Sequence, residues 1–397
     1  MIVKCNVPQP SGARFAGQSA RFIANIRNRG GAIIVAWLAG QGPGLGERIW
    51  LEFLYFSGSA RFAEWWRAGE GVILRFERVR PPQMEPFQPL SAREIAPDRF
   101  ERILRGLKRW NYDIIAIGDL IERLQRPGAR PRRFVCLTFD IGYRDFLDHA
   151  WPILKRHNVP AALYVPANFA DQLGDLWWLA LEQVVARNDR IGLVIGGREL
   201  RLDCQSASDK NEVFAFLFET FGAMTPGDRT PAIRDLCGRY GVDLAAISAR
   251  TTMTWPEIAR LAADPLLTVG SASLTYPVLS RLDRTQSERE LRMGRAVGEG
   301  AIGRSAPHLA YPYGTRDSFG RREITLASEL GFATAVTSER GVITAGDVDM
   351  LALPRIAWDN RRKSLRAWRA LLAGLTIRNV QPRGSAAAIA QPARSST

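Results

Sequence analysis

The run over residues 134–139 restricts this chain more than any other stretch. Phe-Val-Cys-Leu-Thr-Phe is apolar at nearly every position and does not alternate. A strand buried on both faces of a parallel sheet reads this way. The run stops at Asp140, Gly142 permits a tight turn, and a helical pattern over 146–157 leads to a second apolar run at 161–165. That is a βαβ unit with short links, and such units cross over right-handed. An acid at the carboxyl end of a buried strand faces the crevice where α/β proteins bind ligands. The competing reading of Asp140 is a cap for the helix that follows.

The same rhythm extends along the chain. A strand at 71–76 ends before Pro81 and Pro82, an amphipathic helix covers 100–110, and a short strand covers 113–117. After Trp255 the order is helix, strand (267–269), helix (284–297), strand (309–311), helix (321–330) and strand (333–337). Residues 172–250 interrupt it. A Trp-rich helix (176–185), two short runs flanking Gly196 and Gly197, and helices over 212–221 and 232–240 read as an inserted helical subdomain. Residues 46–375 are expected to form the domain. Residues 1–45 read as a basic, poorly ordered extension, and 376–397, rich in Ala, Ser, Pro and Gln, as a disordered tail.

The formal charge of +14 suggests a nucleic-acid partner until it is located. Lys4, Arg14, Arg21, Arg27 and Arg29 lie in an acid-free amino end. Eight more basic residues lie in the acid-free stretch 361–397, so the centre is close to neutral. No nucleic acid is expected as a partner. Arg361, Arg362, Lys363, Arg366 and Arg369 surround Leu365, Trp368, Leu371 and Leu372. This pattern fits either a basic amphipathic helix in peripheral contact with an anionic membrane or a last barrel helix with a solvated face. Cys5, Cys136, Cys204 and Cys237 lack metal-type spacing. They read as free thiols in a reducing compartment, hence a cytoplasmic place, at most peripheral to the inner membrane.

Three patches carry a resemblance. Thr138-Phe139-Asp140-x-Gly142-Tyr143 resembles the Thr-Phe-Asp-Asp-Gly-Tyr signature of the polysaccharide deacetylases, the NodB-homology carbohydrate esterases, with Ile141 in place of the second Asp. Residues 270–277 are similar to the family's Gly-Ser-His-Thr-x-x-His-Pro, with Ala272 and Tyr276 where the two His stand. Tyr311-Pro312-Tyr313-Gly314 is similar to the loop that supplies an oxyanion donor and a wall of the sugar groove. Glu77 stands where relatives often have a His.

The resemblance implies an α/β fold, a distorted (β/α)7-type NodB-like barrel. It also implies hydrolysis of the N-acetyl amide of N-acetylglucosamine units in an oligo- or polysaccharide. In that chemistry Asp140 matches the general base, while the second Asp and the two His hold a divalent metal, usually zinc, that activates water. This chain has the base position and none of the three ligands, so no metal or other cofactor is expected. Asp145 with His149 is a weaker metal candidate against an ordinary helix face. Tyr311 and Tyr313 are either groove or core aromatics, and Arg355 is either an ion-pair partner or a ligand contact. Trp177 and Trp178 fit core packing better than sugar stacking. Two classes stay open: a carbohydrate de-N-acetylase, and a non-catalytic relative that binds a glycan or a partner protein.

Overall fold

The computed structural model describes residues 3–4, 70–125, 132–195, 198–344, 348–360 and 364–372. The basic extension apart from Val3 and Lys4, the turn at Gly196 and Gly197, Arg361 to Lys363 and the tail lie outside the described residues.

Seven parallel strands form the ring of one curled sheet: β1 (Gly71–Phe76), β2 (Phe134–Asp140), β3 (Ala161–Val165), β4 (Leu267–Ser271), β5 (His308–Ala310), β6 (Thr334–Val336) and β7 (Ile356–Ala357), and an eighth, Asp113–Ile114, pairs off the ring with the start of β2. Each ring strand pairs with the next in sequence, except that β7 returns to pair with β1. The seam between β6 and β7 is bridged by the segment before β7. Leu353 donates its N–H to the Ala335 carbonyl, and Thr337 donates to the Leu353 carbonyl, each at 2.8 Å. The ring is thereby a distorted seven-stranded β/α barrel, the fold that the resemblance implies.

Side chains alternate across a strand, so parity decides which residues enter the barrel. Ile73, Cys136, Ala162, Tyr164, Ala310 and Val336 face inward and share one core. Val72, Leu74, Val135, Leu137, Leu163 and Val269 face outward, against helices that include α1 (Pro97–Arg109), α2 (Trp151–His157) and α3 (Trp255–Ala262). At the inward position 270 only glycine fits, because a Cβ would stand 2.7 Å from the Tyr164 ring and from the His308 carbonyl.

The inserted stretch is built as expected in kind. Its elements are helices Trp177–Arg187, Ala207–Ala223 and Pro226–Arg239, and an antiparallel pair, Arg190–Ile195 with Arg198–Asp203. A further helix, Leu244–Thr251, was not anticipated. The insertion has no separate core. Trp177, Trp178, Val213, Phe214 and Phe218 pack in the same cluster as the barrel interior. Remaining helices on the barrel are α4 (Arg284–Ile302), α5 (Arg321–Glu329) and α6 (Leu365–Leu372). In α6, Trp368, Leu371 and Leu372 are buried, and Trp368 stacks on Trp358 at 4.7 Å. The apolar side of that helix is spent on the core, as in a last barrel helix. Among the described residues no helix is long and apolar enough to cross a membrane.

His308 closes the barrel floor, its Nδ1 2.8 Å from Thr334 Oγ1. Burial holds its pKa down to about 4. An unfolded chain takes up that proton near pH 6.5. Between these values the unfolded state binds a proton that the folded state refuses, so stability falls as pH drops through the window, by about 2 kcal/mol at about pH 5. Glu182, pushed up to about 7 by burial and by Glu94, acts in the opposite sense. The test is therefore a difference. Denaturant unfolding at about pH 7.5 and about pH 5 should cost the wild type more than His308→Gln, and an equal loss in both would contradict the assignment.

Candidate functional site

The parity that fills the barrel also builds the site. Arg75 on β1 and Thr138, Asp140 and Tyr164 on β2 and β3 point inward at the carboxyl ends of their strands, where the apolar layer stops. Arg355 enters from the residue before β7. Its guanidinium grips Asp140 with both forks, Nη1 to Oδ1 at 2.7 Å and Nη2 to Oδ2 at 2.9 Å. Nε of Arg355 donates to the Thr337 carbonyl at 2.6 Å, and Nη1 also reaches Thr138 Oγ1 at 3.2 Å. Nε of Arg75 lies 3.4 Å from Asp140 Oδ2, and the same guanidinium donates to Ser338 Oγ and to Glu77 at 3.5 Å. Glu77 in turn accepts two bonds from Arg93, at 3.0 and 3.2 Å. Burial works against the charge on Arg75, but Asp140 and Glu77 outweigh it and hold the guanidinium charged. Asp140 is thus an anion between two buried cations, not a helix cap.

Beside this network lies an apolar patch. Ile141, Ala272, Tyr276 and Tyr313 are buried in one cluster. The Tyr276 ring stands 5.1 Å from that of Tyr313, 5.9 Å from Phe169 and 6.3 Å from Trp178. The loops that carry these residues keep an unusual backbone: φ is 77° at Ile141, 61° at Tyr276 and 61° at Tyr313. A β-branched residue in the left-handed region is strained, whereas Asp and His are among the residues that visit it more readily. Burial, and then the Asp140 charge, push the Tyr276 phenol up, so it is neutral.

The structure brings together Asp140, Arg355, Ile141, Ala272, Tyr276 and Tyr313. Arg355 is the ion-pair partner of Asp140. Pro312 and Gly314 shape the loop that carries Tyr313: the Gly314 N–H donates to the Pro312 carbonyl at 2.7 Å, and at φ 66° a Cβ on Gly314 would meet Ser338 N at 2.6 Å. Tyr311 is placed elsewhere. It follows β5 in the outward parity, stacks on Phe319 at 4.3 Å and donates to the Leu351 carbonyl at 2.9 Å. Tyr311 therefore belongs to the helix layer and not to a groove wall. Trp177 and Trp178 are core residues, and Trp178 Nε1 donates to Tyr143 Oη at 2.9 Å. Asp145 is taken by Arg78 Nε at 2.6 Å. Sequence reading missed Arg75 and Arg93. An Arg inside the apolar run 71–76, at an inward parity, was the available signal for the first.

These residues do not fit a divalent metal. Ile141 and Ala272 have no donor atom, and Tyr276 offers a neutral phenol. The one carboxylate of the motif already meets two guanidiniums, whose positive charge opposes a cation. Among the described residues no cluster of three or more His, Cys, Asp or Glu is placed to hold one. His157 Nε2 lies 2.8 Å from Glu101, and His308 is in the barrel floor.

The barrel carries at the end of β2 a motif similar to that of the polysaccharide deacetylases. Residues 128–194, which include Asp140 and Ile141, match the polysaccharide deacetylase family model, so the resemblance read from 138–143 is shown over that segment. Among solved structures, the chain is similar to the deacetylase PplD of Streptococcus pyogenes in complex with acetate, at 14% identity and TM-score 0.48, covering 72% of this chain and 91% of that one. It is similar to IcaB from Ammonifex degensii at 17% identity and TM-score 0.47, covering 76% and 97%. The BpsB deacetylase domain from Bordetella bronchiseptica gives 15% identity and TM-score 0.45, covering 72% and 95%. No curated protein sequence matches the chain.

Proposed function

We propose that this protein recognises an N-acetylglucosamine-containing glycan without the metal-dependent hydrolysis of the acetamido group that the polysaccharide deacetylase family performs. The observation that carries this reading is the two-pronged ion pair of Asp140 with Arg355, buried at the position where the family keeps its base. Each oxygen of a carboxylate held in this way spends a lone pair on the guanidinium, so fewer acceptor sites face an attacking water. The apolar patch of Ile141, Ala272, Tyr276 and Tyr313 next to it supplies the kind of lining that carbohydrate-sized pockets use, with few polar groups. We place the protein in a reducing compartment, a reading supported by the free, buried thiols of Cys136, Cys204 and Cys237. With the apolar side of α6 in the core, a peripheral membrane contact through Arg361, Arg362, Lys363, Arg366 and Arg369 would rest on charge alone.

Calorimetric titration with N-acetylglucosamine oligomers tests the reading. The expected result is saturable binding that is unaffected by a chelator, with the acetyl groups intact afterwards. Heat of binding that vanishes on chelation, or acetate in the cell, would replace this reading with the enzymatic one.

A further inference from the structure

Arg229 and Arg281 stand where the inserted helices meet the loops of the barrel mouth. Arg229, on helix Pro226–Arg239, is 8% exposed, with its guanidinium carbon 5.5 Å from the centroid of the Trp177 ring. Arg281 ends the turn Leu279–Arg281, and its Nη1 donates to the carbonyls of Gly222 at 2.9 Å and Met224 at 3.5 Å. Its Nη2 is buried with no hydrogen-bond partner, and so is the Nε1 of Trp177. The Trp177 ring under Arg229 also lies 6.4 Å from that of Phe221, next in sequence to the Gly222 carbonyl that Arg281 meets, so both cations belong to one region; burial, and then Arg229, act to lower the pKa of Arg281, against Tyr313.

What sets this pair apart is the missing acid. Arg75 and Arg355 meet Asp140, Arg78 meets Asp145 and Arg93 meets Glu77. Among the described residues neither Arg229 nor Arg281 meets a carboxylate. Two like charges drawn partly out of water, one with a buried donor left unspent, raise the free energy of the fold until an anion joins them. Guanidinium forks match the planar pairs of oxygens on carboxylate and phosphate.

We propose that Arg229 and Arg281 form a receptor for one oxyanion, a carboxylate or a phosphate, carried by a ligand that lies along the barrel mouth between the insertion and Tyr313. The inference stands without the glycan reading, and with it the glycan is an acidic one.

Thermal unfolding of the full chain at low ionic strength tests it, with sodium glucuronate, inorganic phosphate and uncharged glucose as probes. Arg281→Gln and Arg229→Gln are the variants. Arg284→Gln, at an exposed arginine paired with Glu329 at 2.6 Å, controls for net charge. The expected result is a rise in Tm with glucuronate or phosphate and none with glucose. Apparent affinity should be at least about tenfold weaker in Arg281→Gln and Arg229→Gln and unchanged in Arg284→Gln. A response to one anion alone names the group. No response to either anion, or an equal loss in the Arg284→Gln control, overturns the proposal. If the two site variants fail to fold, the wild-type contrast between the anions and glucose decides it in the same way.

Discussion

Arg355→Ala should lower the stability of the folded chain by about 3 kcal/mol, a fall in Tm of roughly 4–5 °C. Arg355 is 1% exposed and holds three groups on two elements at once: Asp140 at the end of β2, Thr138 within it, and the Thr337 carbonyl beyond β6. Truncation leaves Asp140 as a buried anion with only Arg75 beside it, at 3.4 Å. The cost of an unmatched buried charge dominates, because a good ion pair roughly balances its own desolvation. For the same reason the double change Asp140→Leu with Arg355→Met should recover most of the loss. Thermal unfolding of the two proteins measures both halves of the expectation. A double variant as unstable as Arg355→Ala would mean that the seam contact to Thr337, and not the charge balance, is what Arg355 supplies.

Much of the frame was readable because its signals are local. The uninterrupted apolar runs at 134–139 and 161–165 are what burial on both faces demands, and the turn after Asp140 follows from Gly142. The family resemblance led to Ala272, Tyr276 and Tyr313, which the fold then brings to one cluster. The partner of Asp140 was not readable in this way, since 215 positions separate it from Arg355 and only barrel closure joins them. Tyr311 misled because a single step in strand parity turns a side chain from the barrel to the helix layer. Helix Leu244–Thr251 escaped because it is short and its only large apolar residues are Leu244 and Ile247, too few to show a period. The insertion looked self-contained in sequence, yet its tryptophans complete the barrel core.

The second large effect concerns metal. The triple change Ile141→Asp, Ala272→His, Tyr276→His should convert a barrel that binds no zinc at this place into one that does. Backbone geometry favours the exchange, since Ile141 and Tyr276 occupy left-handed φ values that Asp and His tolerate better. Loss of a partner that only supports a ligand typically costs about 10–100-fold in affinity or activity, so the loss of all three ligands should cost far more. Without a Lewis acid worth several kcal/mol in the transition state, Asp140 could supply at most general-base help of about 10²–10⁴-fold. Its bond to Arg355 works against even that. The triple variant should gain zinc before it gains activity, because Arg355 still holds the carboxylate.

The zinc content of the unmodified protein, read by native mass spectrometry after equilibration with zinc and removal of loose ions, tests the central claim most directly. The account predicts no stoichiometric zinc in the wild type and one zinc per chain in the triple variant. One tightly held zinc in the wild type, accompanied by chelator-sensitive release of acetate from N-acetylglucosamine oligomers, would contradict it.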